Sequence, residues 1–372
     1  MTGLVILRSE VLVILRSEVL VILRSKVLVI LRSEGLVILR SEATKDLLYF
    51  VFLRKMRKFR VIMIETLKDT RNLPDSALEE LLESHDATLA QRLKDTAREV
   101  CLKVKGPEVL IRGLIEWSNV CRNDCLYCGI RRSRLGVPRY SLTAEQIQEC
   151  CERVWNDGIP TFVLQGGENP AAAEGLIPTI KEIRRRYPSA AITLSLGELP
   201  FELYAALKEA GANRYLLRHE TANPEHYASL HPAGMRLDCR LACIRELKFL
   251  GYETGMGMMV GSPGQTTLNL IEDLRLMQEM APHMIGIGPF IPQDGTPFEN
   301  CPSGSAETTL RLIAIMRLMF PEANIPATTA LATLLPGGKQ IGIQAGANVI
   351  MNVYTPITER RKYSLYKGKT DV

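Results

Sequence analysis

Residues 109–130 read VLIRGLIEWSNVCRNDCLYCGI. The first part, 109–117, is an apolar run of strand length. The second is a loop carrying Cys121, Cys125 and Cys128 in the spacing C-x3-C-x2-C, with an aromatic residue, Tyr127, before the last cysteine. Three thiolates so close together suit one iron-sulfur cube, because each sulfur reaches a different iron without a folded domain to gather them. The fourth iron then takes no ligand from the motif, and an open coordination position can chelate a small molecule. Zinc is a poorer reading, since it needs four ligands and neither a second C-x2-C nor an H-x3-H lies nearby. A disulfide framework fits badly with 372 residues, no secretory signal and an odd nine cysteines.

Outward from this stretch the chain alternates short apolar runs with longer amphipathic ones, the signature of repeated βα units and a parallel sheet. Strands are expected at 109–117, 161–165, 191–195, 213–217, 253–260, 284–290, 325–329 and 348–351. Helices are expected at 143–156, 177–187, 200–210, 237–250, 267–280 and 307–319, several ending at a glycine such as Gly158, Gly211 or Gly251. Eight strands make an α/β fold of the (β/α)8 barrel type, whose sites lie just after the strands on the C-terminal face. Polar or Gly-rich segments recur at that position: the cysteine loop, Gln165-Gly166-Gly167-Glu168, Ser195-Leu196-Gly197-Glu198, Arg218-His219-Glu220, Gly261-Ser262-Pro263-Gly264 and Thr328-Thr329. Before the barrel, residues 63–105 carry Leu78, Leu81, Leu82, Leu89, Leu93 and Val100 at helical spacing, with Asp75 and Asp86 as caps.

The net charge of +5 is unevenly placed. Residues 1–62 hold twelve Lys/Arg and five Asp/Glu, whereas the remainder holds 34 and 36, a net of −2. The body therefore has no electrostatic footprint for nucleic acid. Residues 4–43 are five copies of an octad close to LVILRSEV, and 1–62 are expected to be a spurious or disordered extension with the true start at Met56 or Met63. A repeat solenoid is the alternative, but the octad has no Gly or Asn at its turns. No run reaches the ~18 apolar residues of a membrane span. The apolar stretch 47–53 has its basic run, 54–60, behind it, the wrong order for a secretory signal, so a cytoplasmic protein is expected.

Several side chains have both a chemical and a plain reading. Gly166 and Gly167 would let the main chain approach a ligand closely, or simply make a turn. Arg218 and Glu220, two apart at a strand end, both face the barrel mouth, where they hold a ligand or pair with each other. His219 points the other way and is read as structural. Met259, Met284 and Met351 fill core gaps or shape a cavity, and Thr328 and Thr329 offer hydroxyls there or cap a helix.

The cysteine motif resembles that of the radical SAM superfamily, and Gly166-Gly167-Glu168 is similar to its GGE motif. Longer segments resemble one branch, the radical SAM maturases of the iron-only hydrogenase, HydE in common usage. They are RGLIEWSNVCRNDCLYCGIRRS, VLQGGENP, LLRHETANPEHYASLHP, GYETGMGMMVGSPGQT, IGIGPFIP, NIPATTALATLLPGG and GANVIMN. The resemblance implies a 4Fe-4S cluster on Cys121, Cys125 and Cys128 with S-adenosylmethionine (SAM) on its open iron. It also implies reductive cleavage of SAM to a 5'-deoxyadenosyl radical, during assembly of the di-iron subcluster of the hydrogenase. SAM contacts would be Tyr127, Gln165, Gly166, Gly167, Glu168, Arg218, Glu220 and Arg240, and Met259, Met284, Thr328, Thr329 and Met351 would line the substrate cavity. A small iron-complex substrate, a companion radical maturase, a scaffold GTPase and an external electron donor are implied as partners, with no nucleic acid and no membrane. Relatives resembled more distantly are methylornithine synthase and biotin synthase, and a cluster-bearing protein without turnover is the reading from another class. Where the family has Gln-Ser-Gly-Glu, this chain has Gly166 in the second place, and it has no cysteine after Cys301. The barrel, 106–372, is therefore expected to lack its closing C-terminal segment and any accessory cluster.

Overall fold

The computed structural model describes residues 60–369 and, before them, the backbone of five strands. The apolar stretch 47–53, residues 54–59 of the basic run and Met56, one of the two proposed start sites, lie outside the described residues. The chain divides into two units, Met1–Met63 and Ile64–Val372. In the first, β1 (Val5–Arg8), β2 (Val11–Arg16), β3 (Val19–Arg24), β4 (Val27–Arg32) and β5 (Gly35–Leu39) form an antiparallel sheet in chain order. Arg16 pairs with Val19 and Arg24 with Val27, so each full octad is a six-residue strand plus a two-residue link. The β-prone runs, spaced by two residues, satisfy one another's backbone groups, and the reading of 1–62 as a spurious or disordered extension stays a proposal.

Three helices precede the barrel: α1 (residues 60–70), α2 (Asp75–Glu83) and α3 (Ala87–Lys105). Asp86 caps α3, its carboxylate accepting from the Thr88 and Leu89 amides. Asp75 does not cap α2. Pro74 occupies that position, and the Asp75 carboxylate pairs with Arg275 at 2.6 Å.

The barrel runs β6 (Leu110–Ser118), α4 (Ala144–Asn156), β7 (Thr161–Gly166), α5 (Pro170–Glu174), α6 (Ile177–Arg186), β8 (Ala191–Ser195), α7 (Phe201–Glu209) and β9 (Arg214–Leu216). It continues with α8 (Pro224–Leu230), α9 (Leu237–Phe249), β10 (Glu253–Met256), β11 (Met259–Val260), α10 (Thr267–Met280), β12 (Met284–Ile285), β13 (Gly288–Pro289) and α11 (Ala306–Met319). The last elements are α12 (Thr329–Leu334), α13 (Gly338–Gln344), β14 (Val349–Val353) and α14 (Ile357–Arg360). Seven strands form one parallel sheet in the order β12-β10-β9-β8-β7-β6-β14. The expected strand 325–329 is not one: single bridges from Asn324 to Met284 and from Pro326 to Val349 span the gap between β12 and β14. Thr328 caps α12 there, which turns the chain out of the sheet. After β14 the described residues hold only the four-residue α14 in place of a full outer helix.

Two expected strands are each broken in two. A Cβ on Gly257 would lie 1.9 Å from the Gly286 carbonyl oxygen, so the backbones of 253–260 and 284–290 meet too closely to stay in one ladder. Their second halves, β11 and β13, pair separately. Side-chain alternation sorts the rest. Phe162, Leu164, Ile192, Leu194 and Tyr215 are buried, as are Ile147, Val154, Ile180 and Ile183 of α4 and α6. A Cβ on Gly113 would sit 2.4 Å from Val154, which marks the outer face of β6 and leaves Arg112, Leu114 and Glu116 on the inner one. No described helix is long and apolar enough to cross a membrane.

Candidate active site

The loop after β6 is pinned from several directions. The Arg122 amide donates to the Glu168 carbonyl at 2.8 Å, the Leu126 amide to Leu230 at 2.9 Å and the Gly129 amide to Leu365 at 2.9 Å. Asp124 accepts from Arg131 Nε and from Ser133, and Arg139 donates to the Asn119 and Ile130 carbonyls at 2.7 Å each. Cys121, Cys125 and Cys128 are half-buried free thiols on this frame. Burial pushes all three up, Cys128 to about 12, and on Cys125 and Cys128 the neighbouring thiols add to it. Such a site disfavours bare thiolates and would suit cationic iron, whose binding would remove the protons. Among the described residues no three His, Cys, Asp or Glu side chains converge to hold a single metal ion. A cube makes a different demand, one iron per thiolate.

Tyr127 is wedged behind the loop. Its hydroxyl lies 3.3 Å from His231 Nε2, and His231 Nδ1 donates to the Tyr227 carbonyl at 2.9 Å. With Nδ1 protonated, Nε2 accepts and the tyrosine donates. The rings of Tyr227 and His231 stack at 4.0 Å.

At the end of β7, Gly167 touches the cysteine loop directly: a Cβ there would meet the Val120 carbonyl oxygen at 2.5 Å and Cys121 Cβ at 2.8 Å. A Cβ on Gly166 would lie 2.3 Å from the Trp117 indole nitrogen, so the indole leaves no room for a side chain at this position. Both Glu168 oxygens are engaged, one by Arg122 Nε at 2.8 Å and one by the Glu198 amide at 2.7 Å. Gln165 donates to the Tyr363 hydroxyl at 3.3 Å.

Arg218 Nη2 and Glu220 Oε2 are 3.0 Å apart, and Arg240 Nε and Glu198 Oε1 are 2.7 Å apart. These four atoms are buried and close enough to attract, yet none is aligned in a hydrogen bond. Burial raises Glu198, against the pull of Arg240. Two opposed ion pairs with unaligned polar atoms suit a zwitterionic ligand that would complete their hydrogen bonds. Arg122 and Glu198 were given no role in the sequence reading, although Gly197-Glu198 sits at the third strand end and echoes Gly167-Glu168.

The five residues expected to line one cavity do not gather. Met284 and Met351 border a cavity of about 20 Å³ inside the barrel, with Arg112, Val163, Thr193 and Asn324 among the other walls. Arg112 Nη1 lies 3.2 Å from Met284 Sδ, and burial lowers the guanidinium to about 10. Met259 packs elsewhere, with Leu230 and Phe290 against Tyr127 and Cys301. Thr328 caps α12, and Thr329 Oγ1 meets the Tyr366 hydroxyl at 2.7 Å. The wall that sequence reasoning missed is residues 354–369. Gly129 has no room for a Cβ beneath Ser364, and Lys369 pairs with the buried Glu116 carboxylate.

Residues 115–277 match the radical SAM superfamily and 280–364 the biotin and thiamin synthesis associated domain. The FeFe hydrogenase maturase subunit HydE of Thermotoga maritima is 47% identical over 302 residues, 81% of this chain and 86% of that protein. This chain belongs to the HydE family of radical SAM enzymes. A second relative of the family member described here is the 3-methylornithine synthase of Methanosarcina barkeri, 31% identical over 286 residues, 76% of this chain and 80% of that protein. The crystal structure of methylornithine synthase (PylB) superposes with a TM-score of 0.71 at 29% identity, covering 78% of this chain and 85% of that one. Membership of the radical SAM superfamily implies a 4Fe-4S cluster and SAM. The free, half-buried thiols and the unaligned ion pairs beside them fit both groups.

Proposed function

We propose that this chain is a radical SAM maturase that acts in assembly of the di-iron subcluster of FeFe hydrogenase. The observation that carries the reading is the 47% identity to HydE, and the three cysteines, the GGE loop and the two ion pairs support it. The 31% identity to a methylornithine synthase and the more distant biotin synthases favour those activities less. A cluster carrier without turnover has no use for the paired charges of Arg218, Glu220, Arg240 and Glu198.

Cys121, Cys125 and Cys128 would hold the 4Fe-4S cluster, and Tyr127, Gln165, Gly166, Gly167, Glu168, Arg218, Glu220 and Arg240 would contact SAM. When bound and reduced by an external donor, the cluster supplies the electron that cleaves the SAM sulfonium to a 5'-deoxyadenosyl radical. The protein's work is positional. Gly167 lets the β7 end approach the cysteine loop, the acidic side chains offer acceptors for an ammonium, and Arg218 offers a fork for a carboxylate. The 354–369 segment roofs the site and would keep water from a reactive intermediate. The substrate is read as a small iron complex, with Met284, Met351, Thr328, Thr329 and, further off, Met259 as its surroundings. A companion radical maturase and a scaffold GTPase belong to the same proposal, as does a cytoplasmic location, which nine unpaired thiols support.

Anaerobically reconstituted protein, reduced with dithionite and given SAM, should release 5'-deoxyadenosine, and Cys125→Ala should not. An intact cluster with no SAM cleavage would sink the enzyme reading. Failure to restore hydrogenase activity in a strain lacking the maturase would sink the pathway alone.

A further inference from the structure

We infer that Asp273 is a positioning residue for Arg218 and Glu220, acting from behind the barrel wall through His219 and the Ala222 amide. The inference rests on the reading of Arg218 and Glu220 as SAM contacts. Glu220 has φ 67°, a left-handed conformation in a residue with a full side chain. Such a backbone persists only where its surroundings over-determine it. Here they do so on both sides. The Glu220 amide donates to the Gly257 carbonyl at 3.0 Å, and the returning Gly257 amide reaches His219 Nδ1 at 3.4 Å. Nδ1 is therefore the acceptor, which puts the ring hydrogen on Nε2, where it is donated to Asp273 Oδ1 at 3.1 Å. The same oxygen accepts the Ala222 amide at 2.5 Å.

One carboxylate oxygen thus grips residues 219 and 222, the two flanks of the left-handed residue. His219 is thereby held against α10, while the Arg218 and Glu220 side chains meet each other at 3.0 Å on the opposite side of the segment. His219 and Asp273 are both 0% exposed, so water does not compete for these bonds. Asp273 lies within α10, whose backbone needs no side-chain cap there, and the carboxylate is free to serve the neighbouring loop. Nothing else in the described structure ties the two sides of Glu220 to one atom in this way.

The test is equilibrium dialysis of SAM against the reconstituted, cluster-loaded protein. Asp273→Ala should weaken SAM about tenfold, the scale of a lost bond to a charged group, while iron content per chain stays that of the parent. Asp273→Asn, which keeps an acceptor oxygen in the same place, should bind within about threefold of the parent. Because Asp273 acts in part through Glu220, the losses in the double variant Asp273→Ala, Glu220→Gln should combine to less than their product. Should Asp273→Ala fail to fold, His219→Gln, which keeps a donor, against His219→Leu, which does not, makes the same comparison. Parental affinity in Asp273→Ala, or in His219→Leu where that pair is used, overturns the inference, as do losses that multiply in the double variant. A parent chain that holds its cluster and does not bind SAM overturns the functional reading and this inference together.

Discussion

Replacing Gly167 by alanine tests how tightly the GGE loop and the cysteine loop depend on each other. The added Cβ would sit 2.5 Å from the Val120 carbonyl oxygen and 2.8 Å from Cys121 Cβ. Both are backbone or backbone-adjacent atoms, so no flexible side chain can swing aside. Ordinary contact begins near 3.4 Å, and the two loops must part by about 0.9 Å. The Gly167 amide bond to the Ser118 carbonyl, 2.9 Å long, resists that movement. Overpacking of this size costs about 1–3 kcal/mol, which in a body of some 300 residues lowers the melting temperature by about 2–6 °C. The larger effect falls on the metal site, because Cys121 is displaced relative to Cys125 and Cys128, which are anchored elsewhere. Iron and acid-labile sulfide per chain after anaerobic reconstitution should drop several-fold. Gly136→Ala, whose Cβ meets nothing within 4 Å, is the control and should load normally. A Gly167→Ala protein with a full cluster and the parental melting temperature would refute the reasoning.

Other outcomes follow from single groups. Burial holds His231 down at about 4 against an ordinary 6.5, so the unfolded chain takes up the proton first; its contribution is whole above pH 6.5 and lost as pH falls toward 4. The loss is about 3 kcal/mol, and His231→Asn should flatten the stability slope between pH 6.5 and 5 in denaturant titrations; parallel slopes would contradict it. Lys369→Met strips a cation from the buried Glu116 carboxylate, a change worth up to about 3–5 kcal/mol, less as the segment lifts and admits water. Residues 362–369 should then exchange their amide hydrogens faster, and unchanged exchange would show that the pair does not hold the roof. Arg317 is fully buried and donates to the Gly346, Pro321 and Ala323 carbonyls and to Asn348 Oδ1. Arg317→Met strands those acceptors and should cost about 3–5 kcal/mol in urea unfolding; a cost below 1 kcal/mol would show that water reaches them.

Much of this protein is written locally. The spacing of Cys121, Cys125 and Cys128 needs no tertiary contact to be read, because a loop of eight residues brings its own ligands together. The alternation of side chains along an extended segment likewise separates His219 from its neighbours Arg218 and Glu220. The helix bounds of α10 and the strand bounds of β8 were legible for the same reason: period and cap are properties of neighbours in sequence. What tertiary structure alone decided involves residues far apart in the chain. Gly257 breaks a strand only because Gly286 passes beside it, and Thr328 and Thr329 leave the expected cavity because the ladder loses its regularity at 324–329, where Thr328 caps α12. Lys369 reaches Glu116 across 253 positions, and Asp273 reaches His219 across 54. Bonds of that span leave no periodic trace in sequence, since each partner's own neighbours are indifferent to it; packing selects the pair once the barrel has brought both side chains into the same dry space.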